Sequence, residues 1–264
     1  MPVITQLWVY PIKSCRGVAL DTATLLASGL KHDREMMIVD ADNGRFITQR
    51  TDAVLASIAV DFIDDTVMLQ QPQHGDCRFQ RQFTQPVIAE VWSREVPAFD
   101  QGDTVANFLS AVVGRRVRLL ATRPIDTLTA ERPILFQDGR AVHILSEATL
   151  KHVRQALPDI DIDVRRFRPN IVIGDHQADT QKLAAFAEDH WQHVHTASTS
   201  IKVENLCQRC IMPSINPDNL HNDAAVQSYL LKHRLINGEP CLGINGCGVR
   251  LGHLQVGEKV KVIS

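Results

Sequence analysis

The feature that most constrains the fold is a succession of short apolar runs joined by tight turns. Residues 35–50 read EMMIVD, ADNG and RFITQR, which predicts a hairpin that turns at Asn43 and Gly44. Residues 57–71 read SIAVDFI, DD and TVMLQQ, which predicts a second hairpin that turns at Asp64 and Asp65. Short strands with tight connections are typical of antiparallel barrels and sandwiches.

The second half of the chain mixes strands with helices. Apolar runs at 141–145, 168–174 and 199–206 predict strands. Amphipathic patterns predict helices at 103–113, 147–157, 181–191 and 223–234, the last with Ala225, Leu230 and Leu231 on one side. We therefore expect a mixed, mainly β (α+β) fold. It would divide into an N-terminal β-barrel-like domain at residues 1–120 and a second domain that mixes strands with helices at residues 121–264, for which the family resemblance given below implies a β-barrel with flanking helices.

Composition and charge restrict the classes of partner that the chain is expected to bind. The chain has 264 residues, a net charge of −2 and 22% charged residues, a balance that does not indicate nucleic acid or an anionic membrane surface. The first residues lack the basic start and apolar run of a signal peptide, and no stretch approaches the ~18 apolar residues that span a bilayer. We expect a cytoplasmic protein without a membrane anchor.

Two of the six cysteines, Cys207 and Cys210, lie three residues apart in ENLCQRCIMPSINPD. A redox dithiol is disfavoured because Pro213 and the next proline make a poor helix after the pair. A structural zinc site would need Cys241 and Cys247 as well, with a longer spacing than usual. The pair also fits two small core side chains, or one thiolate that binds a soft transition metal. The spacing leaves these alternatives open.

Several polar residues stand at the ends of predicted elements, where an anion could bind. Each also has an ordinary interpretation as a solvated charge, a strand-end charge or a helix cap. These residues are Lys13 and Ser14 on a turn, Arg34 before a strand, Ser146 and Glu147 at a helix start, and Arg168 and Asn170 at a strand mouth.

Taken together, six motifs resemble the MOSC family, named after the C-terminal part of molybdenum-cofactor sulfurase. They are WVYPIKSCRG, DREMMIVD, FITQR, LSEATL, FRPNIVIG and CQRCIMPSINPD, in the family's order and across nearly the whole chain. The chain looks most like the two-part members with an N-terminal MOSC β-barrel domain, which include amidoxime-reducing components and bacterial proteins that reduce N-hydroxylated bases. The resemblance implies a MOSC domain at residues 121–264.

The resemblance also implies a cofactor and residue roles. Cys210 matches the protein ligand of molybdenum, and Cys207 matches a cysteine that does not bind the metal. The positions that match the surroundings of the molybdenum cofactor (Mo-molybdopterin) are Lys13, Ser14, Arg34, Ser146, Glu147, Arg168 and Asn170. The implied activity is removal of oxygen from hydroxylamines, amidoximes and N-hydroxylated bases. Electrons would come from a separate flavoprotein reductase or iron–sulfur protein.

The sequence departs from the family pattern after Cys210. An aspartate position of the family holds Asn216 here, so a carboxylate is lost near the implied metal. A carrier of molybdenum cofactor or sulfur, with a persulfide on Cys210, is the alternative function. No lysine has a sequence context that favours pyridoxal phosphate.

Overall fold

The computed structural model describes residues 1–63, 66–129, 133–176 and 182–264. The α-helices in this part of the chain are α1 (Asp103–Val113), α2 (Glu147–Ala156) and α3 (Ala224–His233). Strands outnumber them, so the fold is mixed and mainly β, which confirms the predicted class.

The strands, in chain order, are β1 (Val3–Val9), β2 (Val18–Leu20), β3 (Thr22–Leu26), β4 (Gly29–Leu30), β5 (Met36–Asp40), β6 (Ala59–Ile63), β7 (Thr66–Gln71), β8 (Gly75–Gln80), β9 (Pro86–Val91), β10 (Arg94–Asp100), β11 (Val117–Ala121), β12 (Val142–Ser146), β13 (Ile171–Gly174), β14 (His193–His195), β15 (Ser200–Gln208), β16 (Leu235–Ile236), β17 (Glu239–Arg250), β18 (Gly252–Gln255) and β19 (Lys261–Ile263).

The strands form one large sheet and three small ones. The large sheet runs β19-β14-β15-β17-β12-β13-β1-β2, with β16 paired to β17 at one side. The small sheets run β5-β11-β10-β9, β6-β7-β8 and β18-β3-β4. Nearly all neighbouring strands are antiparallel, as the tight turns predict, and β12 pairs with β13 in parallel.

The first strands of the chain belong structurally with the last ones. β1 pairs with β13 and β3 pairs with β18, so residues 3–30 add to sheets built from the C-terminal half. The strands between β5 and β11 form their own two sheets. The division at residue 120 stays a prediction. Because β1 ends in the large sheet, the loop after it lies at the junction of the two halves.

Each group of strands has its own core. One cluster lies on the large sheet and includes Ile4, Leu25, Ile144 and Ile244. A second lies under α1 and the small sheets and includes Leu55, Val67 and Leu109. A third joins α2 and α3 to the opposite face of the large sheet. Polar side chains lie at the junction between these cores.

Two segments that were predicted to be helical differ from the sequence-based expectations. Residues 182–191 contain a 3₁₀ turn at Ala187–His190 instead of a full helix, and Phe186 before it is left-handed (φ 64°). In α3 the buried positions are Val226, Tyr229 and Leu230, while Leu231 is exposed. The predicted turn at Asp64 and Asp65 lies outside the described residues. None of the helices in the described ranges has the length and apolar character needed to span a bilayer.

Gly29 at the start of β4 gives a test of packing at the junction. Its φ is +114°, and a Cβ there would lie 2.4 Å from the Ala141 carbonyl oxygen. Gly75 is also left-handed (φ +77°) but has nothing within 4 Å of an added Cβ. Gly75→Ala should therefore cost only the conformational penalty, about 1–2 kcal/mol. We expect Gly29→Ala to lower the free energy of unfolding by at least about 1 kcal/mol more, because backbone must move.

Urea unfolding of both variants measures this difference. Equal losses of unfolding free energy in the two variants would show that the backbone at Ala141 moves without loss of stability.

Candidate functional site

Three residues in the junction have a left-handed backbone that is unusual for side-chain-bearing residues. Ser14, Arg34 and Arg168 have φ values of 67°, 49° and 55°. Such conformations cost about 1–3 kcal/mol each and persist where the surroundings enforce them, often at functional sites. All three are among the positions that the sequence predicts for cofactor binding. The backbone therefore singles out the same loops as the motif comparison.

The side chain of Tyr10 organises these loops. Tyr10 is fully buried, and its ring lies 4.3 Å from the Arg34 guanidinium carbon and 4.1 Å from that of Arg168. Arg34 also donates from Nη2 to the Arg168 carbonyl oxygen at 3.1 Å. Gly17 makes room for the ring, since a Cβ there would lie 2.5 Å from Tyr10 Cε1. Cation–π contacts of this kind are worth more in a partly desolvated site than at the surface.

The charges around Tyr10 are only partly balanced. Asp33 accepts two hydrogen bonds from Arg34, at 2.6 and 2.7 Å. Arg168 instead donates from Nη1 to the Cys15 carbonyl oxygen at 2.7 Å. Burial, with the neighbouring Arg34 charge, lowers the pKa of Arg168 to about 10. The cluster therefore has more positive charge than its own carboxylates neutralise.

Lys13 lies on the other side of this loop and is almost fully buried. Its Nζ donates to the Phe136 carbonyl oxygen at 2.8 Å and to Asp138 Oδ1 at 2.6 Å. Burial lowers the pKa of Lys13, and the Asp138 carboxylate opposes that change. The same Asp138 oxygen accepts a hydrogen bond from the Trp92 indole at 2.9 Å. Lys13 is thus a buried cation with one carboxylate partner.

A small cavity with a volume of about 10 Å³ lies beside Tyr10. Its lining includes Tyr10, Arg16, Gln49, Arg165, Arg166 and Arg168. Two buried polar atoms here, Tyr10 Oη and Arg168 Nη2, have no hydrogen-bond partner within the described ranges. Buried donors normally have partners, and an unpaired one costs free energy. An oxygen acceptor with negative charge would satisfy these atoms, and the cavity has room for about one water-sized group.

Asp218 pairs with two arginines of this lining, Arg16 and Arg165. Its carboxylate accepts from Arg16 Nη2 at 3.2 Å and from both terminal nitrogens of Arg165, at 2.9 and 2.7 Å. The hydrogen bonds from Arg165 lower the pKa of Asp218. Arg16 comes from the loop after β1, and Asp218 comes from the loop that follows Cys210. One carboxylate therefore joins the loop after β1 to the loop after Cys210.

The Cys210 loop is tied to the Arg168 loop through its neighbours. Cys210 is exposed after the end of β15. Next to it, Arg209 donates from Nη2 to the Phe167 carbonyl oxygen at 2.9 Å. Arg166 donates to the carbonyl oxygens of Pro213 and Ser214, at 3.2 and 3.1 Å. The exposed thiol thus stands beside the arginine-rich loop, with its side chain open to a ligand.

The structure does not bring the cysteines together into a zinc site. In the part of the chain that it describes, no group of three or more His, Cys, Asp or Glu side chains could hold a metal ion. Cys247 instead approaches Glu204 at 3.5 Å, and Cys207 accepts from Arg209. The structural zinc alternative, which needs four converging thiolates, has no support from this geometry. A metal that takes a single protein thiolate is compatible with it.

Asn170 lies close to the cluster and has a structural task. Its Oδ1 accepts from the His143 backbone N–H at 3.0 Å, and its Nδ2 donates to the Trp8 carbonyl oxygen at 3.2 Å. It therefore holds the start of β13 against the end of β1.

Ser146 and Glu147 are not brought to the arginines. Ser146 pairs with Ile173, about three residues or ~10 Å along the sheet from Asn170. Ser146 Oγ caps α2 by accepting from the Thr149 N–H at 3.1 Å and donates to Glu188 at 2.7 Å. These contacts stabilise the start of α2, so the cofactor role of the two residues stays a prediction without a contact that supports it.

Sequence reasoning missed Tyr10, Arg16, Gln49, Arg165 and Asp218. Tyr10 resembles an ordinary core residue at a strand end. Arg165 stands in a run of basic residues, and its partner Asp218 is 53 residues away in the chain. A run of three arginines in RRFR, followed by a proline, was the available signal.

Comparison with known proteins identifies two family models. The model described as "MOSC N-terminal beta barrel domain" matches residues 1–116, and the model described as "MOSC domain" matches residues 131–261. Together they cover nearly the whole chain.

Curated relatives match along the same length. The mitochondrial amidoxime reducing component 2 of Bos taurus is 26% identical over 97% of this chain and 82% of its own length. The mitochondrial amidoxime-reducing component 1 of Danio rerio is 26% identical over 99% of this chain and 85% of its own length. Among solved structures, the YUAD protein from Bacillus subtilis covers 99% of this chain and 96% of its own, with 11% identity and a TM-score of 0.47.

The bridge at Asp218 predicts how cofactor-free protein responds to anions. Asp218→Asn should remove the carboxylate that Arg16 and Arg165 share and keep the shape of the side chain, while Arg165 keeps its ion pair with Asp163. Exposed ion pairs are worth about 0.2–1 kcal/mol, so we expect inorganic phosphate to bind up to about fivefold more tightly. Calorimetry on cofactor-free protein at low salt measures the affinity.

Asp42→Asn is the matched control, because Asp42 pairs with Arg116 on an exposed surface elsewhere. An unchanged or weaker phosphate affinity in Asp218→Asn would show that this carboxylate does not compete with the ligand.

Proposed function

Because the chain belongs to the MOSC family, with an N-terminal MOSC β-barrel domain before a MOSC domain, we propose that it reduces N-hydroxylated compounds with the help of molybdenum cofactor. The substrate class is hydroxylamines, amidoximes and N-hydroxylated bases. The relatives' names supply the class, since those proteins are called amidoxime-reducing components. One observation in the chain itself carries the proposal: the buried Arg168 Nη2 without a partner in the described residues, on a loop tied to that of Cys210.

The residues present fit such a cofactor. A phosphate-bearing pterin needs cations and oxygen-accepting contacts, because a buried anion without a partner is costly. Arg168 and Arg16 would hold its anionic end, with the Tyr10 hydroxyl as a further donor. Cys210 would be the protein's sulfur ligand to the metal, a soft ligand of the type that molybdenum takes together with dithiolene sulfurs. Lys13 and Arg34 would supply charge behind the loop.

When bound, the cofactor supplies a two-electron redox centre for breaking an N–O bond. The overall change converts R–NH–OH, two electrons and two protons into R–NH₂ and water. The chain's own part is to bind and orient: arginines fix the anion, and the exposed position of Cys210 leaves its surroundings open to a substrate. A separate flavoprotein reductase or iron–sulfur protein would supply the electrons, and we expect the reaction to take place in the cytoplasm.

The alternative is a carrier that holds the cofactor, or a persulfide on Cys210, without turnover. A carrier would retain molybdenum and show no reductase activity. The two functions therefore differ in one assay, in which a reductase and electron carrier are coupled to reduction of a hydroxylamine or an amidoxime.

Cys210→Ser tests the proposed ligand. Loss of residues that merely support a metal ligand lowers metal affinity by about 10–100-fold, so loss of the ligand should lower molybdenum per chain by at least about tenfold and remove reductase activity. The measurement is metal and pterin per chain, with the coupled assay, on protein made in cells that synthesise the cofactor.

Cys77→Ser is the control for thiol removal, since Cys77 lies in β8 away from the junction. Full molybdenum content in Cys210→Ser would exclude this cysteine as the ligand. Full content with no turnover in the unaltered protein would favour the carrier.

A further inference from the structure

Arg209 is a partly buried cation whose partners are not carboxylates. Its Nη1 donates to Cys207 Sγ at 3.0 Å and its Nη2 to the Phe167 carbonyl oxygen, while Nε is buried without a partner among the described residues. No carboxylate of the described ranges forms an ion pair or hydrogen bond with it. A buried charge that lacks an opposite charge is strongly destabilising. The Arg209 guanidinium therefore needs an anion beside it. The atom that lies where such an anion would be is Cys207 Sγ.

The Cys207 sulfur is almost fully buried at the end of β15, with 8% of the residue exposed. A neutral thiol is a weak acceptor, whereas a thiolate next to an arginine is a favourable ion pair. The titratable or charged groups around it are Arg209, His143 from β12 and Cys241 from β17. A neutral thiol would have to donate to the Gln208 carbonyl oxygen at 3.8 Å, which is a long contact.

We propose that Cys207 is a resident thiolate, and that this buried anion is a positioning group which holds Arg209 between the Cys210 loop and the Arg168 loop. Arg209 precedes Cys210, and its other partner, Phe167, precedes Arg168. One guanidinium thus sets the spacing between the two residues that the proposed function uses most. The positioning role rests on that proposed function, but the thiolate itself does not.

The fold makes room for the His143 imidazole, which lies next to this sulfur. Gly243 has φ +75°, and a Cβ there would lie 2.6 Å from His143 Nε2. Burial by itself raises the pKa of the Cys207 thiol, but His143 and Arg209 more than reverse that effect and hold it at about 6. Burial and the neighbouring Cys207 raise the pKa of Cys241, although Arg234 opposes them. Of these two buried cysteines, the arrangement selects Cys207 for ionisation.

Thiolate absorbance in the ultraviolet tests the proposal on metal-free, reduced protein. The difference between the unaltered protein and Cys207→Ser should show about one thiolate per chain at pH 7, and it should disappear with a midpoint of about 6. An ordinary thiol titrates near about 8.5, so a midpoint there would overturn the proposal. Cys77→Ser, which removes a thiol whose pKa is raised by burial, should leave the pH 7 signal unchanged.

Arg209→Gln keeps all six cysteines and removes the partner charge. The midpoint should then move upward towards that of an ordinary thiol, and an unmoved midpoint would contradict the role of Arg209. This variant also keeps the proposal testable if Cys207→Ser fails to fold.

Rescue by charge separates positioning from packing. Cys207→Asp keeps an anion next to Arg209, whereas Cys207→Asn has nearly the same shape and none. We expect hydrogen exchange of residues 209–216 to stay slow in Cys207→Asp and to speed up severalfold in Cys207→Asn. Equal exchange in both variants would show that the charge does no positioning.

The stability difference between the unaltered protein and Cys207→Ser should follow the same titration. The pKa of this acid is depressed in the folded state, so its contribution is fully present above about pH 8.5 and lost as the pH falls through about 6. All these measurements use protein without cofactor, so failure of the reductase assay would leave them unaffected.

Discussion

Most of the junction depends on burying two guanidinium groups against one phenol ring. Arg34 and Arg168 lie on Tyr10, and Asp33 is a buried carboxylate that neutralises one of them. Burying charge is expensive unless it is paired, so the left-handed backbone at both arginines and the hydrogen bond from Arg168 to Cys15 belong to one arrangement. The surplus of positive charge is what distinguishes this arrangement from an ordinary structural ion-pair network, and it would favour the anion of the proposed function.

Guanidinium groups also serve here as links between loops that the sheets leave separate. Arg166 donates to two carbonyl oxygens of the 3₁₀ turn at Met212–Ser214, and Arg209 donates to Phe167. A planar group with five donors can satisfy several carbonyls at once, which lysine cannot do with the same geometry. The loop that carries Cys210 is thereby held by backbone contacts, and its own thiol is spared from structural use.

The sequence predicts strands and helices well. It predicts less well which residues come together in the folded chain. Strands with alternating patterns and α1 with Gly114 at its end were predictable, because periodicity and glycine act locally. Lys13, Arg34 and Arg168 were predicted because they are cations on turns within motifs, and Arg34 and Arg168 lie together on Tyr10. Ser146 was correctly predicted to cap a helix. A helix cap does not indicate at which end of the sheet that helix begins. The pairing of Arg165 with Asp218 depends on tertiary structure and leaves no local pattern.

Asn216 shows how a departure from the family pattern can leave a loop intact. Its Oδ1 accepts from the backbone N–H groups of Asp218 and Asn219, at 2.9 and 3.2 Å. An aspartate oxygen would accept the same two bonds, so the turn that presents Asp218 to Arg165 does not need the charge. The amide therefore keeps the shape of the turn and removes one negative charge from a loop beside four arginines. Since Asp218 already neutralises part of that charge, the neutral Asn216 preserves the surplus of positive charge that the proposed binding of an anion would need.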